Sequence, residues 1–140
     1  MMQDVMLRVA LTSRHHIGPG KVRLLELIHE HGSISAAARA MDMSYRRAWL
    51  LVENMNTMFR EPVLTPAVGG SQGGGAVLTR LGREIVVRFR RMEAATRKAI
   101  AGDLTALKSR IKAGTHSQLR RPGARVLPPR LSRAMRDRRR

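Results

Sequence analysis

Apolar and polar residues alternate at the start of the chain, and a helical period follows. Over residues 4–12 the alternation predicts a short strand with apolar positions at Val5, Leu7, Val9 and Leu11. The segment 17–20, IGPG, predicts a turn. Apolar residues at positions 24, 25 and 28 then follow the helical period. They predict a first helix over 21–31, which we expect to end at Gly32.

Two more helices are predicted on either side of a tight turn. The first covers residues 36–41 with Ser35 as its N-cap, and the second covers 45–59 with Ser44 as its N-cap. Asp42 lies in the turn, where Asp tolerates a left-handed backbone better than most residues. Helical spacing predicts that the core side of the third helix carries Tyr45, Ala48, Trp49, Val52, Asn56 and Phe59. We expect Trp49 to be buried and Tyr45 to be shared between core and surface.

The opposite side of the third helix is predicted to carry Arg47, Leu50 and Asn54, with Arg46 on the flank. An arginine side chain can pair with O6 and N7 of guanine in the major groove, which makes these arginines candidates for base readout. Two arginines on a helix are more often simply solvated, so they carry this interpretation only together with the helix order and the global charge.

A glycine-rich segment separates two short β-leaning segments. Residues 62–68, PVLTPAV, and 76–79, AVLT, flank GGSQGGG at 69–75. Two strands around such a loop predict a β-hairpin, and a flexible linker is the plainer alternative. A nucleotide-binding P-loop is disfavoured, because Ala76 and Val77 stand where its Lys and Ser or Thr would be needed.

A long fourth helix is predicted from residue 80 to about residue 101, with Thr79 as its N-cap. It carries an apolar stripe with a 4-3 spacing, which includes Ile85, Phe89 and Met92. We expect this stripe to form an interface between two copies of the chain; the alternative is that it packs on its own domain. A break is expected at Gly102 and Asp103.

Charge points to the kind of partner. The 140 residues carry a net charge of +17, and the segment 117–140 holds nine arginines against one aspartate. Such an excess favours nucleic acid or an anionic membrane surface as a partner. The sequence has no cysteine, which excludes disulfides and thiol chemistry, and its start has no long apolar run. A soluble, cytoplasmic protein is therefore expected, with a disordered arginine-rich tail.

The predicted order of helix, tight turn, helix, hairpin and helix is that of a winged helix-turn-helix. The fold class is accordingly mainly α with a small β-hairpin, followed by a long helix and the disordered basic tail. We expect a DNA-binding domain with its dimerisation helix over residues 1–101, a helical extension over 102–116 and the tail over 117–140. In such a fold the second helix of the motif enters the major groove.

The motifs SISAAA, SYRRAW and GGSQGGGAVLT, at this separation, resemble the N-terminal DNA-binding domain of the ModE family of bacterial molybdate-responsive transcriptional regulators. The resemblance covers roughly residues 4–100. It implies a homodimer that binds double-stranded operator DNA, with a recognition helix from Ser44 onward, a wing over 69–75 and a following helix that contributes to dimerisation. The predicted DNA-contacting residues are Ser35, Ser44, Tyr45, Arg46, Arg47, Leu50, Asn54, Gly70, Ser71, Gln72, Gly73 and Gly74.

Two departures from the family pattern change the expectation. Roughly 40 residues follow Ile100 and do not resemble the family's molybdate-binding modules, so neither molybdate binding nor any cofactor is expected. The wing carries Ser71 and Gln72 where a basic residue is common, so it offers backbone amides and polar side chains rather than charge.

Other chemistry is weaker. His29 and His31 diverge on a helix and lack a ligand cluster, so surface histidines are preferred to a metal site, and no catalytic constellation indicates an enzyme. Two rivals to a sequence-specific regulator stay open. One is a non-specific nucleic-acid-binding protein driven by the tail, and the other is a one-domain partner of a separate sensor protein.

Overall fold

The computed structural model describes residues 5–67 and 74–112. The helices are α1 (Pro19–His31), α2 (Ile34–Ala40), α3 (Tyr45–Met58) and α4 (Arg80–Lys108). The strands are β1 (Val9–Ala10), β2 (His16–Ile17), β3 (Leu64–Pro66) and β4 (Ala76–Leu78). The described part is mainly helical with two small antiparallel hairpins, β1–β2 and β3–β4, which confirms the predicted helices, hairpin and long helix. The predicted disordered tail over 117–140 lies outside the described residues.

The N-terminal strand is half of a hairpin, which differs from the prediction of one strand over residues 4–12. β1 pairs with β2, with Val9 opposite Ile17. The chain reverses where the Leu11 amide donates to the His15 carbonyl at 2.8 Å. The reversal thus precedes the IGPG segment, where the turn was predicted, and Ile17 belongs to a strand. The helix α1 already begins at Pro19, whose fixed φ suits a first helical turn.

The ends of α1 and α2 follow from local capping. Gly32 ends α1 in the left-handed conformation, with φ of 78°, and its amide donates to the Ile28 carbonyl, which confirms the predicted stop. The N-cap of α2 is Ser33, whose Oγ accepts from the Ala36 amide at 3.1 Å, so the prediction of Ser35 was wrong. Ile34 joins the helix because its side chain packs against the core, and this moves the cap two residues back.

The turn between α2 and α3 matches the prediction. Asp42 has a positive φ of 53°, and the Met43 amide donates to the Ala38 carbonyl. Ser44 then caps α3 through its Oγ, which accepts from the Arg47 amide at 3.1 Å. A left-handed aspartate and a serine cap make the turn short, so α2 and α3 form the compact pair that a helix-turn-helix requires.

One hydrophobic core joins the first three helices to β3–β4 and the start of α4. Its fully buried members on α1 and α2 include Leu24, Leu25, Ile28 and Ala37. The alanines of α2 lie against both neighbouring helices, and their small side chains let the helix axes approach closely. The described residues up to Asp103 form one compact unit that contains this core, and the described residues from Leu104 onward belong to a second unit.

The hairpin β3–β4 is fixed at its base. Leu64 lies opposite Leu78 in the antiparallel register. The Val63 amide donates to Asn56 Oδ1 at 2.8 Å, so the base is tied to the end of α3. Thr79 Oγ1 donates to the Pro62 carbonyl and accepts from the Gly82 amide, which confirms Thr79 as the residue that caps α4. The base of the hairpin β3–β4 is therefore positioned by a side chain of α3 on one side and by the cap of α4 on the other.

The helix α4 runs through Gly102 and Asp103 without the expected break. A single glycine in a helix costs only about 1 kcal/mol, which the surrounding helix formers offset. Near its start, Ile85 and Phe89 are buried in the core of their own chain, Phe89 with 0% exposure. Of the three residues predicted at the interface between two copies, only Met92 is exposed. The other two pack within their own domain, which was the alternative to the predicted interface.

Buried charge also anchors α4. Glu93 is 2% exposed, and its carboxylate accepts from the Arg90 guanidinium at 2.6 Å. Arg90 also pairs with Glu26 of α1. These two carboxylates raise the pKa of Arg90 against the opposing effect of burial. Because a buried carboxylate without a partner would be strongly destabilising, this triad holds α4 against α1.

In the described ranges, no helix is both long and apolar enough to cross a membrane.

Candidate nucleic-acid interface

The rotation of α3 about its axis differs from the prediction. Its buried residues are Ala48, Val52 and Met55. Trp49 is 44% exposed and Tyr45 is 56% exposed, so the prediction that Trp49 lies in the core was wrong. Met55 is fully buried in the core, where its flexible side chain can fill an irregular space.

This rotation changes which residues point outward. At about 100° per residue, the direction opposite the buried stripe falls between Arg46 and Leu50. Leu50 is 50% exposed, and Arg46 and Arg47 are both exposed. Arg47 lies on the flank of this face together with Asn54. Arg46, predicted on the flank, is therefore closer to the centre of the outward face than Arg47.

The start of α3 presents a polar group beside the arginines. Ser44 is exposed, and its Oγ accepts from the Arg47 amide while its own proton stays available. A hydroxyl can donate one hydrogen bond while it accepts another, so this cap can still donate to a phosphate. The exposed N-terminal end of a helix also favours an anion through its backbone amides.

The predicted contact Ser35 lies elsewhere on the motif. Ser35 is an exposed residue of α2, and its Oγ accepts from Arg39 Nη1 at 3.2 Å. The pair keeps a guanidinium at the surface of α2. Ser35 therefore holds an arginine near the motif rather than capping a helix.

Asn54 is tied to α1. Its Oδ1 accepts from Lys21 Nζ at 2.8 Å, and the same Nζ donates to the His16 carbonyl at 3.0 Å. Asn54 thus keeps its amide NH2 for an outside acceptor. Lys21 was not among the predicted site residues, because 33 residues separate it from Asn54 and no local pattern links the two.

The exposed arginines of α2 and α3 form no salt bridge within the described residues. The described salt bridges are Arg88–Glu84, Arg90–Glu26 and Arg90–Glu93. None of them includes Arg39, Arg46 or Arg47. Arginines without carboxylate partners leave a positive potential, which attracts polyanions and accelerates their association.

Of the predicted wing, only Gly74 and Gly75 belong to the described residues. Gly70, Ser71, Gln72 and Gly73 lie outside the described residues. Gly74 has a φ of 100°, a conformation that favours glycine. Next to it, a Cβ on Gly75 would lie 2.9 Å from the Cβ of Ala67, so the two chain segments that lead into the wing approach each other closely.

Comparison with known proteins connects this geometry to a family, although no family model matches the chain. The chain is 44% identical over 73 residues to the molybdenum transport protein ModE of Azotobacter vinelandii, which covers 52% of this chain and 27% of that protein. It is 39% identical over 84 residues to the molybdenum-pterin-binding protein MopA of Rhodobacter capsulatus, which covers 60% and 32%.

A third relative is described by its name as a DNA-binding regulator. The DNA-binding transcriptional dual regulator ModE of Escherichia coli (strain K12) is 35% identical over 86 residues, which covers 61% of this chain and 33% of that protein. This chain spans about a third of the length of these relatives. The helix-turn-helix and the hairpin β3–β4 thus form a winged-helix arrangement in a part of the chain that is similar in sequence to ModE and MopA proteins.

Proposed function

We propose that this chain is a transcriptional regulator of the ModE type that binds operator DNA through α3 and the wing. The observation that carries the proposal is the outward face of α3, where Arg46 and Arg47 lie beside the Ser44 cap and have no described carboxylate partner. Arginine in the major groove pairs with guanine, and a capped helix end suits a phosphate.

The exposed apolar residues of α3 fit the same role. Leu50 and Trp49 border the arginines and are about half exposed. A soluble domain gains little from such exposure, whereas the C5-methyl group of thymine offers an apolar contact in the major groove. The exposed face thus combines donors for guanine with apolar surface for thymine.

The proposed assembly is a homodimer formed through α4. Met92 is 39% exposed on this helix, and Ile85 and Phe89 support it from within the core. Two recognition helices related by a two-fold axis would read an inverted repeat with half-sites about one helical turn of DNA apart, or a multiple of that distance. Neither a cofactor nor molybdate is part of the proposal for this 140-residue chain.

Selection of bound sites from random duplexes by the purified chain tests this function. The expected result is an enriched inverted repeat whose half-sites contain guanine. Arg46→Ala should lose enrichment at one position of each half-site, whereas Arg97→Ala, an exposed arginine on α4, should leave the selected site unchanged. Recovery of no consensus from the unaltered chain would contradict a sequence-specific regulator.

A non-specific DNA-binding protein is the second candidate, favoured by the net charge of +17 and the nine arginines in 117–140. Each neutralised phosphate contributes about 0.9 to the slope of log affinity against log salt on duplex DNA. A chain that ends at Gly114 should have a flatter slope than the full chain and keep its operator preference. Equal affinity of the full chain for operator and random duplex, with most of that affinity lost when the tail is removed, would favour the second candidate.

A further inference from the structure

The N-terminal hairpin carries basic side chains that the proposed function does not use. We name as the hairpin cluster Arg8 immediately before β1, Arg14 and His15 in the loop, His16 on β2 and Lys21 in the first turn of α1. Four of these five residues, all but Lys21, line a surface hollow of about 270 Å³. A water molecule occupies about 30 Å³ in the liquid, so the hollow accommodates a group as large as a phosphate with its hydration.

The loop that bears Arg14 is held in one shape by its own hydrogen bonds. Thr12 Oγ1 accepts from the backbone amides of Arg14 and His15 at 3.2 and 3.0 Å. The amides of Leu11 and Thr12 both donate to the His15 carbonyl. This bonding presents Arg14 at an ordered turn, so an anion that binds there would cost little loop entropy.

Within the described residues, the charges of the hairpin cluster have no carboxylate partner in a salt bridge. Arg8 Nη2 donates to His16 Nε2 at 2.7 Å, so a guanidinium contacts an imidazole rather than a carboxylate. Among the residues that the structure describes, no carboxylate forms a salt bridge with Arg8, Arg14 or Lys21. Partial burial and then the charges of Arg8, Lys21 and His15 lower the pKa of His16. An anion placed among these groups would relieve their mutual repulsion.

The hairpin cluster is continuous with the recognition helix. Lys21 Nζ bridges the His16 carbonyl and Asn54 Oδ1, and Asn54 lies on the flank of α3 that also carries Arg47. Any duplex whose major groove receives α3 would pass its sugar-phosphate backbone along one flank of that helix. The base of the hairpin β3–β4 is tied to a different residue of α3, since Asn56 Oδ1 accepts from the Val63 amide.

We propose that the hairpin cluster binds a backbone phosphate of the DNA beside the groove that receives α3. This inference rests on the proposed function for the position of the duplex. Arg8 and Arg14 neutralise the phosphate, and Lys21 couples the hairpin to α3 through Asn54. The hairpin β1–β2 thereby fixes the register of the recognition helix from the flank that carries Asn54, and it carries no base specificity of its own.

The experiment compares Arg14→Gln with Arg23→Gln. The side chain of Arg14 is exposed in the loop, and Arg23 is exposed on α1 about 200° around the helix from Lys21, so both variants lose one surface charge. Affinity is measured across a salt series on a selected operator and on random duplex, and circular dichroism checks the fold. Arg14→Gln should flatten the salt slope by about 0.9 on both DNAs and leave the ratio of the two affinities unchanged.

The same measurements separate the possible failures. Equal slopes for Arg14→Gln and Arg23→Gln would assign the effect to net charge alone and overturn the hairpin contact. Saturable binding of inorganic phosphate that Arg14→Gln abolishes, with an unchanged slope on DNA, would make the hollow a free-anion site and also overturn it. If selection yields no operator, the proposed function fails, while a slope change specific to Arg14 on random duplex would still support the phosphate contact.

Discussion

A Cβ atom on Gly82 would lie 2.3 Å from the carbonyl oxygen of Val63, so α4 begins directly against the backbone of the segment that leads into β3. The same carbonyl accepts from the Thr79 amide at 3.0 Å, and Val63 is fully buried. This contact sets the distance between the base of the hairpin β3–β4 and the helix that follows it. Only glycine at position 82 permits it.

Gly82→Ala should therefore destabilise the domain by about 1–3 kcal/mol, the usual range for overpacking a tight core. Gly102→Ala is the matched control, because a Cβ there meets nothing within 4 Å and a helical alanine should stabilise by up to about 1 kcal/mol. Urea unfolding followed by circular dichroism measures both changes. Equal stability of the two variants would contradict the close contact.

Trp49→Ala should cost about 1 kcal/mol or less, because the indole is 44% exposed and surface substitutions have small effects. Phe89→Ala should cost about 3–5 kcal/mol, the range for removing a buried aromatic ring. Chemical denaturation of the two purified variants measures both losses of stability. A loss for Trp49→Ala as large as that for Phe89→Ala would restore Trp49 to the core.

Arg46→Ala should reduce operator affinity by about 1–3 kcal/mol more than it reduces affinity for random DNA. Arg47→Ala should weaken both DNAs more evenly, since Arg47 lies on the flank of α3 and reaches the backbone rather than the base edges. Fluorescence anisotropy with operator and random duplexes at one salt concentration gives the comparison. The reverse order of discrimination would return base readout to Arg47.

The lowered pKa of His16 predicts how stability depends on pH. Partial burial is the largest cause, followed by the charges of Arg8, Lys21 and His15. The folded state then binds a proton on His16 more weakly than the unfolded state, whose pKa is about 6.5. The stability that the fold has with a neutral His16 is therefore fully present above a pH of about 6.5, and it is lost as the pH falls through the pKa of His16 in the folded state.

Urea midpoints between pH 7.5 and pH 5 measure this dependence. His16→Gln should remove part of the loss of stability at low pH, whereas His29→Gln, a change at an exposed position of α1, should not. An NMR titration should place His16 below the ordinary range for histidine. A His16 pKa above about 6.5 would contradict the role of its basic neighbours.

Met92→Lys should shift the sedimentation mass from dimer to monomer, because a charge at this exposed position of α4 would be desolvated in the proposed interface. Met6→Lys is the control, since Met6 is also exposed but lies outside α4. The folded state of both variants is checked by circular dichroism. A folded Met92→Lys variant that keeps the mass of the unaltered dimer would exclude this surface.

Local chemistry by itself determined much of the fold. Ser44 and Thr79 cap the helices that follow them, Gly32 ends α1 with a positive φ, and Asp42 makes the turn. Each of these features depends on hydrogen bonds or backbone preferences within about four residues, which a sequence pattern contains. The helix order and the hairpin β3–β4 followed from such signals.

Only the tertiary structure decided which faces meet. The exposure of Trp49 and the burial of Phe89 depend on how α3 and α4 are rotated against the core, and several rotations satisfy the same helical period. The bond from Lys21 to Asn54 joins residues 33 positions apart, and Gly82 is required by a carbonyl 19 positions before it. Such pairings arise from packing between elements, because the side chain that fills a given space is selected by all its neighbours together.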